Sequence, residues 1–500
     1  MYKSYLFVMK HQFYFVAILH FIFVALFTEL YAQPSQKRPN VVMIYVDDLG
    51  YGDLSCYGAK AISTPNIDKL AVNGIKFKRG YSTSATCTPS RFALMTGIYP
   101  WREKGHGILP GDAALIIPPD SISLPKIFKN AGYQTAVVGK WHLGLGDEIE
   151  KNWNKEIRPG PNEVGFDYSF IFPATADRVP TVFMENGRVL GLDKNDPLQV
   201  SYRKKVGLEP TGKENPELLK LRSSVGHNQT IVNGIGRIGY MAGGKLSRWT
   251  DEELGSAFLS KAQHFIMQNE KEPFFLFFAP HQIHVPRVPS TIFKGKSTLG
   301  YRGDAILELD WIVGELMKQL TELGLDKNTM IILSSDNGPV LDDGYADQAK
   351  ELNGTHTPAG GLRGWKTDIY EGGTRVPFII TWPGKIDPGE SEAMICQIDL
   401  IASFAALLGQ KIPDGEAYDS KNILQALLGK SSNGRETLVL EGYGNLALIQ
   451  NGWKYIPEFR QQEEQLFNLE KDFSESVNLA PSESPRVIQM SKLLESIKKR

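Results

Sequence analysis

Cysteine, net charge and long apolar runs are all scarce in this chain of 500 residues. It holds only three cysteines, Cys56, Cys87 and Cys396. That excludes a disulfide-built scaffold and leaves at least one thiol without a partner. Lys+Arg 55 against Asp+Glu 56 leaves a net charge of −1. Without a positive surplus or a basic stripe, phosphate-backbone binding has no electrostatic footing, so no nucleic-acid partner is expected. Beyond the first thirty residues no window is apolar for the roughly 20 residues that a bilayer span needs. No internal repeat is present. What remains is a hydrophobic fraction of 42% and a charged fraction of 22%, the values of a globular protein. The 48 glycines and 29 prolines follow no short period and read as loops. The length suggests two or three domains around a large core.

The amino-terminal segment stands apart. Lys3 and Lys10 precede a run without formal charge, Phe13 to Phe27, and then Leu30-Tyr31-Ala32-Gln33. The expectation is a signal peptide over residues 1–32, cleaved after Ala32, because the run is too short for a stable span. The protein would then be exported, periplasmic or secreted, with no stable membrane insertion after signal removal.

Several runs are apolar on both faces: Asn40 to Val46, Thr135 to Val138, Phe274 to Phe278, Met330 to Leu333 and Val376 to Ile380. Such strands belong in a sheet covered by helices on both sides. Helix signals lie between them. Thr64-Pro65 opens one, Thr250-Asp-Glu-Glu253 has the pattern of a capping box, and Ala305 to Leu323 carries apolar residues at helical spacing before Gly324. The fold class expected is α/β, a mostly parallel central sheet flanked by helices over residues 33–410. After that, short runs split by Gly442, Gly444 and Gly452 and a polar final helix predict a small α+β subdomain over 411–500, with an antiparallel sheet. Residues 150–250 read as long loops over the sheet, where specificity residues often sit.

Acidic residues close two of the strands. Asp47-Asp48 follows Val46, with Leu49-Gly50 permitting a bend, and Asp336-Asn337-Gly338 follows Ser335. Ligands bind at the carboxyl ends of strands in open α/β sheets. Three carboxylates and an amide oxygen describe a site for a hard cation, Ca²⁺ or Mg²⁺. Each pair alone could equally begin a turn. In Cys87-Thr-Pro-Ser-Arg91-Phe-Ala-Leu-Met-Thr-Gly97, Pro89 fits a first helical turn and Gly97 a stop, so Cys87 is expected at a helix amino terminus. A thiol there would be acidified; a cysteine packed under a helix is the plainer alternative.

This eleven-residue run resembles the signature of the type I sulfatases, C-x-P-S-R-x-x-L-x-T-G, without a departure. Four further runs resemble the same family: Gly132 to Gly144, containing Lys140-Trp-His142; His281-Gln-Ile-His284-Val-Pro286; Asp336-Asn337-Gly338; and Lys366 before Tyr370-Glu-Gly-Gly373. With the Asp47-Asp48 strand they cover residues 40 to about 385. The resemblance implies an alkaline-phosphatase-like large domain. It also implies that Cys87 is oxidised to formylglycine by a maturing enzyme, and that Asp47, Asp48, Asp336, Asn337 and the modified Cys87 hold one Ca²⁺. Hydrated formylglycine has two hydroxyls. One, deprotonated with help from Asp336, would attack sulfur, and the alcohol would leave protonated by His284 or Lys366. The other would lose its proton to His142 and expel sulfate. Lys140 and Arg91 would supply positive charge.

The sugar-binding residues are read less directly. Trp101, Asp177, Arg178, His227, His281 and Arg363 are polar or aromatic candidates for substrate contact, with Arg102, His106, Asn228, Arg237 and Trp365 beside them. The stretch from His227 to Tyr240 resembles segments of bacterial sulfatases acting on galactose or N-acetylgalactosamine sulfates. The expected substrate is a sulfated carbohydrate. Two rivals remain at this level: a phosphatase or phosphonate ester hydrolase of the same superfold, and a non-catalytic sugar-binding homologue with an unmodified Cys87.

Overall fold

The computed structural model describes residues 38–103, 107–148 and 150–499. The expected leader, residues 1–32, and His106 lie outside the described residues.

The central element is a ten-stranded sheet. Its longer strands are β1 (Asn40–Val46), β2 (Ile75–Tyr81), β3 (Gln134–Lys140), β4 (Tyr168–Phe172), β5 (Phe274–Ala279), β6 (Thr329–Ser335), β7 (Phe378–Thr381) and β8 (Gly389–Cys396). In space they run β8-β2-β7-β6-β1-β5-β3-β4, continued by the two-residue strands Met184–Glu185 and Arg188–Val189. From β6 to β4 every neighbour is parallel. Strand β7 runs antiparallel to both β6 and β2.

Alternation along β1 explains why the sheet is covered twice. Val41, Met43 and Tyr45 enter one apolar layer with Phe128 of α3 (Leu124–Asn130) and Phe404 of α6 (Leu400–Leu408). Val42, Ile44 and Val46 enter the other. That second layer holds Ile67 of α1 (Pro65–Val72), Phe258 of α4 (Leu254–Gln268) and Ile306 of α5 (Gly300–Glu322). Each such side chain contributes roughly 1.5–3 kcal/mol on burial, so a strand with no polar face is stable only here.

A second sheet, β9 (Thr437–Gly442), β10 (Asn445–Gln450), β11 (Trp453–Ile456) and β12 (Gln465–Asn468), is antiparallel throughout. Leu438, Leu440 and Leu448 pack with Val487, Met490 and Leu494 of α7 (Ser484–Lys498), and the same layer takes in Tyr81, Ala93 and Cys396. The two sheets therefore share a core, and Asn40–Arg500 forms one compact unit. Cys56, Cys87 and Cys396 are all free thiols.

Three local expectations are corrected. The Thr250 side chain makes no cap: Asp251–Glu253 forms a 3₁₀ turn and the α-helix begins at Leu254. The Asp251 carboxylate is instead taken by Arg237, at 2.6 and 2.9 Å. The run from Val376 gives a strand only over Phe378–Thr381. The bend after β1 is made by Asp48 itself, with φ 60, rather than by Gly50.

Candidate active site

The carboxyl ends of the parallel strands converge. Val46 pairs with Ser335, so the acidic residues that follow β1 and β6 emerge side by side. Lys140 ends β3 and His142 stands two residues beyond, while the His281–His284 loop follows β5. A further helix, α2 (Cys87–Thr96), points its amino terminus into this point, and Gly97, with φ 70, stops it. Asp48 occupies the left-handed region, which costs a non-glycine residue on the order of 1–3 kcal/mol. Gly338 lets the Asn337 loop close, because a Cβ there would lie 1.8 Å from the Gly372 carbonyl oxygen.

Every carboxylate here has a basic partner from the chain. Lys140 Nζ lies 2.7 Å from Asp47 Oδ2, with both side chains wholly buried. Arg91 donates to Asp336 Oδ2 from Nε at 3.0 Å and Nη2 at 2.8 Å. Lys366 Nζ donates to Asp48 Oδ2 at 2.9 Å and to Asp343 Oδ2 at 3.0 Å. Burial alone would raise the Asp48 carboxyl, but Lys366, His284 and Lys140 together hold it well below the usual range. Asp336 is raised by burial and by Asp47, with Arg91 opposing.

Of the two readings open for Cys87, the packed thiol is the one found. Cys87 Sγ lies 3.8 Å from Asp47 Oδ1. Burial pushes it up to about 12, against the pull of Lys140 and Lys366. Position at a helix terminus does not acidify it, because desolvation dominates.

Both histidines beside the centre are neutral by burial. His284 falls to about 4, with Lys366 adding and Asp48 opposing. Its Nδ1 lies 2.6 Å from the Val285 carbonyl, which makes Nδ1 the protonated nitrogen; Nε2 faces Asp48 Oδ2 at 3.9 Å. Burial, then Lys140, holds His142 well below the usual value. Its Nε2 donates to the Leu109 carbonyl at 2.9 Å, leaving Nδ1 buried with no partner. That nitrogen is an acceptor without a donor, and the residue is held in place by the Thr88 hydroxyl, which binds the His142 backbone carbonyl at 3.1 Å.

One ligand atom each from Asp47, Asp48, Cys87 and His284 lie within 4.8 Å of one another. Asn337 Nδ2 binds Asp48 Oδ1 at 2.7 Å, and the backbone N–H of Asp48 reaches Asp336 Oδ1 at 3.3 Å. Asn337 Oδ1 is buried with no hydrogen-bond partner. An unpaired buried amide oxygen costs about 1–3 kcal/mol, so this atom is an open ligand position. The oxygen-rich donor set fits Ca²⁺.

The remaining candidates divide. Asp177, Arg178 and His227 come together: Arg178 Nη1 binds Asp177 Oδ1 at 2.8 Å and His227 Nε2 lies 3.3 Å from Asp177 Oδ2. Burial opposes ionisation of Asp177, but Arg178 and His227 hold it well below the usual range, and His284 is near enough to add to this. His281 stands behind His284, ring centroids 6.1 Å apart, edge-on to Phe172 at 5.9 Å. Trp101 is occupied elsewhere, stacked on Tyr99 at 5.4 Å and under Arg102 at 4.5 Å. Arg363 lies over the Tyr370 ring at 3.7 Å and binds the Glu475 carbonyl. Asp343 was not singled out by sequence, although it binds Lys366. Its signal, Asp342-Asp343-Gly344, is indistinguishable from a turn.

Comparison with known proteins agrees with this geometry. A family model described as Sulfatase matches residues 39–410. The chain is 51% identical over 483 residues to an N-acetylgalactosamine-6-O-sulfatase of Bacteroides thetaiotaomicron, covering 94% of each. It is 32% identical over 412 residues to human arylsulfatase A, covering 80% of this chain and 70% of that one. A solved chain described in connection with metabolism of multiple glycosaminoglycans by Bacteroides thetaiotaomicron superposes with TM-score 0.91 at 50% identity, over 93% of this chain and 100% of that one.

Proposed function

This chain belongs to the sulfatase family and is a sulfuric ester hydrolase, and we propose that it removes the 6-O-sulfate of an N-acetylgalactosamine-type sugar in a sulfated glycan. The observation that carries the substrate reading is the Asp177–Arg178–His227 group beside His284, a buried carboxylate held by two part-exposed donors. A carboxylate accepts from a sugar hydroxyl while the guanidinium and imidazole donate, which discriminates one ring stereochemistry by leaving buried groups unpaired in the wrong one. The relative of matching name supports the same sugar and position.

The residues divide the work as follows. Asp47, Asp48, Asp336 and Asn337 would hold Ca²⁺, with position 87 completing its shell; when bound, the ion polarises a sulfate oxygen and lowers the cost of the attacking hydroxyl. Formylglycine at position 87, made by a maturing enzyme, adds water to become a geminal diol with the two hydroxyls that cysteine lacks. Lys140, Arg91 and Lys366 place three fixed positive charges around the sulfate without reorganisation. Lys366 stays protonated because Asp48 and Asp343 outweigh burial, so it can donate to the leaving oxygen directly, whereas His284, neutral with its proton on Nδ1, must first gain a proton at Nε2 before it can serve as the acid. His142 offers a bare Nδ1 to take a proton.

The test is a panel of 6-O- and 4-O-sulfated N-acetylgalactosamine and 6-O-sulfated N-acetylglucosamine. The first should be hydrolysed at least about tenfold faster than the others; equal rates on all three would refute the substrate reading. Export through residues 1–32 belongs to the same proposal, and a mature protein beginning at Gln33 on terminal sequencing checks it. Among the described residues no helix is long and apolar enough to cross a membrane.

A further inference from the structure

The second sheet does more than shield the first. Ser84 and Glu441 form a parallel bridge, with Glu441 N–H on the Thr83 carbonyl at 2.9 Å and Ala85 N–H on the Glu441 carbonyl at 2.8 Å. Strand β9 therefore runs in the same direction as the segment that leads into Cys87. The next residue, Gly442, follows in register beside Ala85, two residues before the nucleophile position, and there the strand turns back toward Asn445. The same Ala85 carbonyl accepts, at 2.8 Å, from the N–H of Thr367, the neighbour of Lys366. The turn is clamped to that loop: a Cβ on Gly442 would lie 2.6 Å from the Ile369 backbone.

Between these parts lies a cleft of about 480 Å³, walled by Thr367 to Tyr370, the Gly442–Asn445 turn and the hairpin tip Phe459–Gln462. That volume suits one sugar ring. Tyr443 presents an aromatic face that is 67% exposed. Arg460 is spread over the Phe459 ring at 4.9 Å and has no ion pair among the described residues. Gln461 and Gln462 add amides, and Asp368 on the opposite wall already gives one oxygen to the Trp365 N–H at 3.0 Å. A flat ring to stack on, with a guanidinium and amides at its rim, is the recognition chemistry of a pyranose.

We propose that this cleft is a subsite for the sugar joined to the sulfated one, so that the second sheet makes the enzyme act on glycan chains in preference to single sugars. The inference rests on the sulfated-glycan reading above. It is tested by measuring kcat/KM for a 6-O-sulfated N-acetylgalactosamine monosaccharide and for an oligosaccharide bearing the same sulfated unit at its end. The intact enzyme should favour the oligosaccharide, through a lower KM. Tyr443→Ala and Arg460→Ala should each cut the oligosaccharide-to-monosaccharide ratio about tenfold. No preference in the intact enzyme, or equal losses on both substrates, would overturn the subsite while leaving the reaction in place. If neither compound is hydrolysed, the substrate reading fails. The cleft is then judged by calorimetric titration of the desulfated oligosaccharide, where equal affinity for the intact protein and Tyr443→Ala overturns it.

Discussion

Two sets of aspartates share one loop and have opposite fates. Asp47, Asp48 and Asp53 are all fully buried. Asp53 is closed off. Its Oδ1 accepts from Arg302 Nη1 at 2.7 Å and lies 2.9 Å from His356 Nε2; its Oδ2 accepts from Arg302 Nη2 at 2.6 Å and from the Gly50 N–H at 2.8 Å. Around Asp47 and Asp48 the counting stays open: Asn337 Oδ1 and His142 Nδ1 have no partner, and Asp48 holds a left-handed backbone. Burial and charge are alike in the two places. What separates a reacting centre from a structural ion pair is unmet acceptor capacity and backbone strain, both of which the rest of the fold must support; around Asp53 the unmet atom is a donor, Arg302 Nε, which can neither bind a cation nor take a proton.

The sharpest way to break this comparison is at the open end. Cys87→Ala should lower turnover of a sulfate ester by about 10³-fold or more, because the covalent route is lost. Its melting temperature should stay within a few degrees of the parent, since a small, weakly bonded side chain is removed. Cys87→Ser should be nearly as inactive, having one hydroxyl where two are needed. Full activity in a serine variant whose residue 87 is verified as serine by mass spectrometry would refute the formylglycine reading.

At the closed end the expected outcome reverses. Asp53→Ala strands the buried Arg302, which costs about 3–5 kcal/mol. Chemical denaturation should report that loss, while the protein that remains folded keeps kcat/KM within about tenfold. A drop in activity as large as that of Cys87→Ala, with stability intact, would move Asp53 into the reacting centre.

How far the sequence could tell these places apart is instructive. The parallel sheet was legible because its strands carry no polar face, and the strand ends because acidic residues abruptly follow apolar runs. The resemblance of five short runs to sulfatase motifs then grouped Cys87, Lys140, His142, His284 and Lys366. Asp53, Arg302 and His356 lie in none of these runs; only folding brings residues 249 and 303 positions apart onto one carboxylate. Asp343 was hidden for the same reason, and the Thr250 capping pattern misled because Arg237 and Asn233 compete for Asp251. Of the two readings open for Cys87, acidified or packed, the structure selects the packed thiol, because burial is a tertiary quantity that helix position does not reveal.

Within the open set, His284 and Lys366 can be separated. If His284 Nε2 protonates the departing oxygen, His284→Ala should cost roughly 10²-fold on a sugar sulfate. On a nitrophenyl sulfate, whose phenolate leaves unaided, the loss should be distinctly smaller. Equal losses on the two esters would assign the role to Lys366. His142→Ala should show no such leaving-group dependence, because its bare Nδ1 serves after the alcohol has gone.

The smallest effect expected is in acid, and it tests the closed set alone. Arg302 and His356 outweigh burial and hold the Asp53 carboxyl below its ordinary value. A carboxyl lowered on folding contributes stability that is fully present above its unfolded value, near 3.9, and that is lost as pH falls through the folded value. Asp53→Asn has nothing to titrate there. The parent should therefore be more stable than Asp53→Asn at pH 6, and the gap between their melting temperatures should begin to close only below about pH 4. Other carboxylates titrate in both proteins and cancel in the difference. A gap that widens in acid would mean that Asp53 is raised on folding like Asp336, and the contrast between the two sets would fail.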